Sequence, residues 1–233
     1  MLNGLLLIDK PRGWTSFDVV AKIRGVVRAE AKKQGVIGKI KVGHTGTLDP
    51  MATGLLVIAI GSYTKKVPEL TKQDKTYRAT MTLGKTSNTD DAEGDLAFVS
   101  SAQPSESDIG LVLQNFVGTI QQVPPQFSAI KIAGVRSYNA ARAGKEVRLE
   151  PRSVTIYSIS DINYEYPTVT FLTHVGSGTY IRSIARDVGA RLGVGAYLSD
   201  LRRTQVGNFS INAACSVDGM TYATIEKNLL ASA

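Results

Sequence analysis

The sequence predicts an α+β fold with a mixed, largely antiparallel central sheet flanked by helices. Three observations lead there. Strand-like and helix-like patterns interleave irregularly, without the βαβ period of a doubly wound parallel sheet. Two continuous apolar runs, GLLLID (4–9) and GLLVIAI (54–60), have the length and β-branched content of buried strands, whereas 77–83 alternates as a half-buried strand does. The chain has 233 residues, 43% hydrophobic and 20% charged, an ordinary globular composition long enough for a sizeable core.

In order along the chain, the strand 4–9 ends at the turn Lys10-Pro11-Arg12-Gly13. Thr15 and Asp18 have the spacing of a capping box, and Phe17, Val20, Ile23 and Val27 form the stripe of the helix that follows. Residues 28–41 are basic and Gly-punctuated and read as a loop or mobile excursion. After the strands at 54–60 and 77–83 come an acidic turn-rich segment at 87–94 and a polar linker at 100–107. Ile109, Val112, Leu113, Phe116 and Val117 recur at helical spacing. Strands are expected near 127–132, 153–159 and 168–175. A helix is expected from about Thr179, with Ile181, Ile184, Ala185, Val188 and Leu192 as its stripe. No internal repeat or heptad array is present, and the whole of 1–233 reads as one domain.

Composition removes several function classes. Cys215 is the single cysteine, so neither an intramolecular disulfide nor a Cys-cluster zinc site is available. His44 and His174 are the two histidines, too few for a His-rich metal centre. No apolar run reaches the roughly 18 residues of a membrane span, and the N-terminus lacks a signal peptide's layout. The expectation is a soluble, cytoplasmic, basic protein without metal or cofactor. Its 27 Lys and Arg against 20 Asp and Glu give a net charge of +7. That excess is local: residues 1–75 hold 13 basic and 6 acidic residues, and 76–233 hold 14 of each. Residues 131–152 are a second basic stretch, with Lys131, Arg136, Arg142, Lys145, Arg148 and Arg152 against Glu146 and Glu150. Concentrated positive charge suits a polyanion such as nucleic acid, and equally a solvated surface.

Three segments have the residues for chemistry. VGHTGTLDPMATGLLVIAI (42–60) places one carboxylate, Asp49, just ahead of a buried strand, with Pro50 restricting its backbone to extended conformations. Asp49 reads either as a catalytic carboxylate or as an Asx-turn residue. The glycines of GHTG lack the G-K-[ST] ending of a Walker loop. In GSGTYIRSIARDVG (176–189), Arg182 falls in the first turn of the expected helix, where a cation opposes the helix dipole and calls for an anion, carboxylate or phosphate. In KTYR (75–78), Tyr77 either stacks on a base or packs in the core.

Together these segments resemble the TruB family of tRNA pseudouridine synthases. The resemblance is carried by LLLIDKPRGWTSFDVV (5–20), VGHTGTLDPMATGLL (42–56), KTYRATMTLG (75–84), PPQFSAIKIAGVRSYNAARAGKEV (124–147), GTYIRSIARDVG (178–189) and GAYLSDLRRTQVGNF (195–209), in the family's order. It also extends to the clan's guide-RNA-dependent catalytic subunits, which normally continue into a further RNA-binding domain. The resemblance implies the pseudouridine synthase fold, with an inserted RNA-clasping segment at about 124–152. It implies isomerisation of uridine to pseudouridine at position 55 in the T loop of tRNA, with no cofactor. In that reaction the base is flipped from its stack, detached from C1′, rotated and rejoined through C5.

By the same resemblance Asp49 is the essential carboxylate, and an ionised Asp49 serves either attack on C1′ or removal of a ribose proton. Arg182 matches the family's arginine that pairs with the catalytic Asp. Tyr77 matches the active-site tyrosine, which stacks on the target base and is a candidate for late proton transfer. Leu201 lines the uracil pocket, His44 reaches into the T loop to hold the flipped state, and Asp91 falls in a stretch near the active site. Lys10 and the basic residues Lys39, Lys41, Lys131, Arg136, Arg142 and Lys145 match or extend the RNA-facing surface. Trp14 is expected to pack under the first helix, Cys215 to be structural, and His174 to have no catalytic role. The partner is the tRNA T arm, and the protein is expected to be monomeric.

The sequence departs from the family in two places. Residues 29–40 lengthen the connection before VGHTGTLD, either adding RNA contact or forming a surface loop. At the other end, a tail of about 25 residues after Phe209 is too short for an appended RNA-binding domain. Two other classes compete with the isomerase: a tRNA-binding chaperone, which need not retain Asp49, Tyr77 and Arg182 together, and a nucleosidase, which has no use for the basic excursion.

Overall fold

A computed structural model of the chain describes residues 2–35, 40–128, 131–132, 135–136 and 149–230. The chain forms two compact units: Met1–Tyr77 with Leu201–Ala233, and Arg78–Asp200. The elements, in chain order, are strands β1 (Gly4–Lys10), β2 (Val42–His44), β3 (Thr53–Ile60), β4 (Lys75–Leu83), β5 (Lys85–Ser87), β6 (Leu96–Phe98), β7 (Gly118–Gln122), β8 (Lys131–Ile132), β9 (Val135–Arg136), β10 (Arg152–Glu165), β11 (Thr168–Val175), β12 (Ala196–Val206), β13 (Phe209–Ser210) and β14 (Cys215–Ser216). The helices are α1 (Ser16–Lys33), α2 (Val67–Leu70), α3 (Glu106–Gln114), α4 (Ile181–Arg191) and α5 (Tyr222–Asn228). Strands β4 and β12 have residues in both units.

In the first unit β1 pairs antiparallel with β3 along its whole length, from Gly4 opposite Ile60 to Lys10 opposite Gly54. Strand β14 joins the outer side of β1 in parallel, β2 lies antiparallel to β3, and β12 runs parallel to β3 at Arg202–Thr53 and Arg203–Gly54. Leu5, Leu7, Leu55, Val57, Ala59 and Val206 form one core cluster, covered by Tyr63, Val67, Leu70 and Phe209. The alternate residues Leu6, Ile8, Leu56, Ile58 and Ile60 are equally buried. Strands covered on both faces explain why 4–9 and 54–60 read as continuous apolar runs.

The capping box of α1 forms in both directions: the Asp18 N–H donates to Thr15 Oγ1 at 3.0 Å, and the Thr15 N–H donates to Asp18 Oδ2 at 2.8 Å. The helix does not end at 28, as its glycine and charge content suggested, but continues to Lys33. Ala29, Ala31, Lys32 and Lys33 are good helix formers, and the two lysines complement the C-terminal dipole. Its buried face is Ser16, Val19, Val20, Ile23 and Val27. Phe17, expected on that stripe, is 60% exposed and lies under the Arg24 guanidinium, 5.4 Å from the ring centroid.

In the second unit β10 pairs antiparallel with β11 and with β7. Strand β4 alternates between buried and partly exposed residues, and Thr80 Oγ1 meets Thr170 Oγ1 of β11 at 3.3 Å. The predicted strand 153–159 is part of a longer one. Helix α3 stops at Gln114; Phe116 is buried beyond its end, and Val117 is exposed where the chain turns into β7. The sheet is mixed and mostly antiparallel, as the interleaving of patterns predicted. Among the described residues no helix is long and apolar enough to cross a membrane.

Candidate active site

Asp49 follows β2, on a loop whose backbone is held on both sides by side chains remote in sequence. Thr45 N–H donates to Val57 O at 3.0 Å. Arg203, only 1% exposed, donates from Nε to Leu55 O (2.7 Å), from Nη2 to Gly46 O (3.1 Å) and from Nη1 to Thr47 O (3.4 Å). Ser16 at the start of α1 brackets Leu48: its Oγ donates to Leu48 O at 3.0 Å and accepts from Leu48 N–H at 2.8 Å. On the far side, Pro50 O accepts from Gly13 N–H at 2.8 Å and from Lys10 Nζ at 3.3 Å. Thus Gly46, Thr47, Leu48 and Pro50 are all anchored, while Asp49 between them is half-buried. Its carbonyl accepts from Ala52 N–H at 3.1 Å, closing the turn into β3.

The Lys10 position differs from what its family match implies. The side chain is 0% exposed, and its ammonium donates to Trp14 O (2.6 Å) and Pro11 O (2.9 Å) as well as Pro50 O. An ammonium enclosed by carbonyl oxygens is not presented to a phosphate. It ties the Pro11–Trp14 turn to the Asp49-Pro50 turn instead. Trp14 is half-buried at that same turn.

His44 closes β2. Burial first, then the Arg203 charge, lowers its pKa below the usual histidine value. Its Nδ1 accepts from Gly46 N–H at 3.3 Å, so the neutral ring carries its proton on Nε2. Stability dependent on neutral His44 falls as pH drops below the ordinary histidine range, because the unfolded chain then binds the extra proton more readily.

Tyr77 is buried on β4 and Leu201 on β12. These strands are tied where Thr204 Oγ1 donates to Thr76 O at 3.3 Å, and Leu201 O accepts from Thr53 Oγ1 at 3.5 Å. Two residues before Tyr77, Lys75 is buried, with its ammonium donating to Thr71 O at 2.7 Å and to Gln73 O. Desolvation, reinforced by Arg203, holds its pKa at about 8. Lys75 is therefore expected to titrate near pH 8 in heteronuclear NMR of its side chain. Because the unfolded chain keeps that proton to higher pH, its contribution to stability rises as pH climbs from about 8 toward the ordinary lysine range. A Lys75 resonance titrating at an ordinary lysine pKa would contradict this environment.

Arg182 and Asp91 belong to the second unit. Arg182, in the first turn of α4 and 5% exposed, meets Asp91 Oδ2 at 3.2 Å. Its guanidinium also donates to Thr89 O (3.1 Å) and Phe127 O (3.0 Å). Asp91 is itself buried, and its Oδ1 accepts from Thr89 Oγ1 (2.6 Å) and Glu93 N–H (3.0 Å). The anion demanded by a cation at a helix start is thus supplied, within this unit, by a carboxylate. Beside it, Arg186 meets Asp90 at 2.9 Å and Asp187 at 2.8 Å. Burial raises the Asp90 pKa, against the pull of Arg186 and Arg182.

Lys41 is exposed. Lys39, Arg142 and Lys145 lie outside the described residues. For Lys131 and Arg136 only the backbone is described, as facing partners in the antiparallel pair β8–β9. His174 is half-buried on β11, its ring 4.7 Å from that of Tyr157. Cys215 donates weakly to Leu7 O at 3.5 Å, and burial raises its thiol pKa, which disfavours the reactive thiolate. Among the described residues, no three or more His, Cys, Asp or Glu are grouped to hold a metal ion.

Sequence reasoning missed Ser16 and Arg203, which hold the Asp49 loop. Two signals were available. In YLSDLRRTQV, Arg203 sits two residues from Leu201 and so shares its strand face, the buried one. Ser16 lies inside the capping box that Thr15 and Asp18 complete, so its own hydroxyl is not needed to cap the helix.

Comparison with known proteins identifies the family. The model of the TruB family pseudouridylate synthase N-terminal domain matches residues 33–181, and that of the tRNA pseudouridylate synthase B C-terminal domain matches 182–231. The chain is 42% identical over 227 residues to "tRNA pseudouridine synthase B" of Thermobifida fusca (strain YX), covering 94% of this chain and 74% of that protein. It is 46% identical over 214 residues to the protein of the same name from Chloroherpeton thalassium (strain ATCC 35110 / GB-78), covering 91% and 86%. Among solved structures it resembles a chain of "Crystal Structure of a Cbf5-Nop10-Gar1 Complex", with a TM-score of 0.70 and 33% identity. That match covers 96% of this chain but 55% of the solved one, so this chain spans about half its length. With family models matching most of its length and relatives above 40% identity, this chain belongs to the TruB family of pseudouridylate synthases.

Proposed function

We propose that this chain isomerises uridine to pseudouridine at position 55 in the T loop of tRNA, with Asp49 as the essential carboxylate. The observation that carries the assignment is the anchoring of Gly46, Thr47, Leu48 and Pro50 around Asp49 by Arg203, Ser16 and Lys10. A carboxylate fixed in this way costs little reorganisation when positive charge develops on the ribose. The C1′–N1 bond breaks with its electron pair leaving on uracil, the base rotates, and C5 bonds to C1′. The proton lost from C5 is balanced by the one gained at N1, so no co-reactant is consumed. Tyr77 and Arg182 complete the proposed catalytic set, with Tyr77 under the base and a candidate for the late proton transfer. Leu201 serves the uracil pocket, and Asp91 supports Arg182. Neutral His44, with its Nε2–H available as a donor, suits a residue holding a flipped T loop. The basic residues Lys39, Lys41, Lys131, Arg136, Arg142 and Lys145 are proposed to face RNA. The proposal also takes 1–233 as one catalytic module acting as a cytoplasmic monomer.

The test incubates purified protein with an unmodified tRNA transcript and maps pseudouridine in the T loop. Product at position 55 supports the assignment. Binding without product at any uridine would favour a tRNA-binding chaperone, and product at another uridine would overturn the position. The apparent Kd for tRNA is expected to weaken on the order of tenfold or more between 50 and 200 mM salt, as several phosphate contacts require. A flat response in a filter-binding titration would remove the basic surface from the argument.

A further inference from the structure

We propose that Gln122 is a positioning residue for Arg182, acting through the backbone of Tyr180 where α4 begins. This rests on the reading above that Arg182 serves catalysis. Helix α4 starts without the usual supports: its N-cap residue Tyr180 makes no side-chain capping bond, and its first turn holds no acidic residue. It instead carries the Arg182 cation against the positive end of the dipole.

The last residue of β7 holds the backbone of that helix start from outside the helix. Gln122 is 1% exposed; its Oε1 accepts from Tyr180 N–H at 2.9 Å, and its Nε2 donates to Tyr180 O at 3.1 Å. One side-chain amide thereby makes both bonds that a neighbouring strand would have made, and only one orientation of the amide satisfies both. The next carbonyl, Val123 O, accepts from Ser183 Oγ and from Arg186 Nη2, each at 2.9 Å. Pro124 and Pro125 follow, with no N–H to continue the ladder, and the chain turns so that Phe127 O accepts from Arg182 Nη2 at 3.0 Å. Residues 122–127 therefore hold the base of the helix and the head of Arg182 together. The segment QVPPQF, which the resemblance placed at the edge of an RNA clasp, acquires a second role as the cradle of this arginine.

Glutamine is specific here. Glutamate keeps the acceptor and loses the donor, methionine loses both, and asparagine is one methylene too short. Displacing Tyr180 displaces Arg182 two residues later, and misplacement by about 1 Å costs up to about 100-fold in rate.

The experiment measures single-turnover pseudouridine formation and tRNA Kd for Gln122→Met, Gln122→Glu, Arg182→Lys and the double variant Gln122→Met/Arg182→Lys. Both Gln122 variants are expected to lose about tenfold or more in rate, with Kd within about twofold of wild type. Gln122→Met should add little to the loss already caused by Arg182→Lys, because both act through one guanidinium. A wild-type rate from folded Gln122→Met, or losses that simply multiply in the double variant, would overturn the assignment. Should Gln122→Met not fold, Gln122→Glu and Ser183→Ala, each removing one bond of the cradle, bear the same test. A wild-type rate in Arg182→Lys with an impaired Gln122→Met would remove the catalytic reading of Arg182 and this inference with it. An inactive Arg182→Lys beside a normal Gln122→Met would remove this inference alone.

Discussion

Asp49→Asn is expected to abolish measurable pseudouridine formation, a loss on the order of 10³-fold or more, while tRNA binding stays near wild type. The side chains are isosteric, and the neighbours of Asp49 are held by bonds that the substitution does not touch. Arg203 holds Gly46 and Thr47, Ser16 holds Leu48, and Lys10 and Gly13 hold Pro50, all through backbone groups. The substitution therefore removes the charge and keeps these backbone bonds. Single-turnover assays beside filter binding separate the two readouts. A variant that turns over at the wild-type rate would end the assignment of Asp49 and return it to a turn residue.

Arg203→Met is expected to cost about 2–4 kcal/mol of folding stability, the largest effect on the fold anticipated for a single side chain. Three carbonyls, those of Gly46, Thr47 and Leu55, lose their donor. The buried Leu55 carbonyl left without a partner costs about 1–3 kcal/mol, and the Gly46 and Thr47 carbonyls, which lie nearer the surface, cost less because water can take over. Methionine fills much of the volume, so the loss reports hydrogen bonding more than cavity formation. The strand has little room to compensate. Gly54, at φ +102° beside Arg203 in the parallel β3–β12 pair, lies so close to the Arg203 backbone that a Cβ would overlap its carbonyl oxygen. Urea titration at pH 7 measures the difference, and a change below about 1 kcal/mol would mean that the guanidinium bonds contribute nothing net. A second signature accompanies it. The His44 pKa, lowered in part by the Arg203 charge, should move back toward its ordinary value, which NMR of the ring reads directly.

The two arginines show how unevenly the candidate site was legible. Arg182 was noticed because a cation in a helix's first turn breaks a local rule, and the structure supplies Asp91 as a partner. Arg203 breaks no local rule. An arginine in the polar stretch LRRTQ reads as surface unless the segment is first recognised as a strand, whose spacing then puts Arg203 on the buried face with Leu201. Lys10 was misplaced for a different reason: the family match put it on the RNA-facing surface, yet its ammonium closes on the Trp14 and Pro50 carbonyls. The start of α1 was readable because a capping box is a four-residue signal. Its extension to Lys33 was not, because glycine and clustered charge outweighed the helix propensity of the alanines and lysines between them.

By itself the sequence determined the class of the fold, the buried strands, the cap of α1 and the family motifs that nominate Asp49, Tyr77 and Arg182. These are properties of short windows, where period, turn chemistry and residue type act locally. Only the tertiary structure decided what holds those residues. Ser16 reaches Leu48 across 32 positions, Gln122 reaches Tyr180 across 58, and Arg203 reaches Gly46 across 157. In each case a buried side chain satisfies the backbone of a distant loop or helix start. Such a bond forms because an unpaired buried carbonyl or N–H is costly, and which partner meets it depends on strand pairing and register that no local window contains.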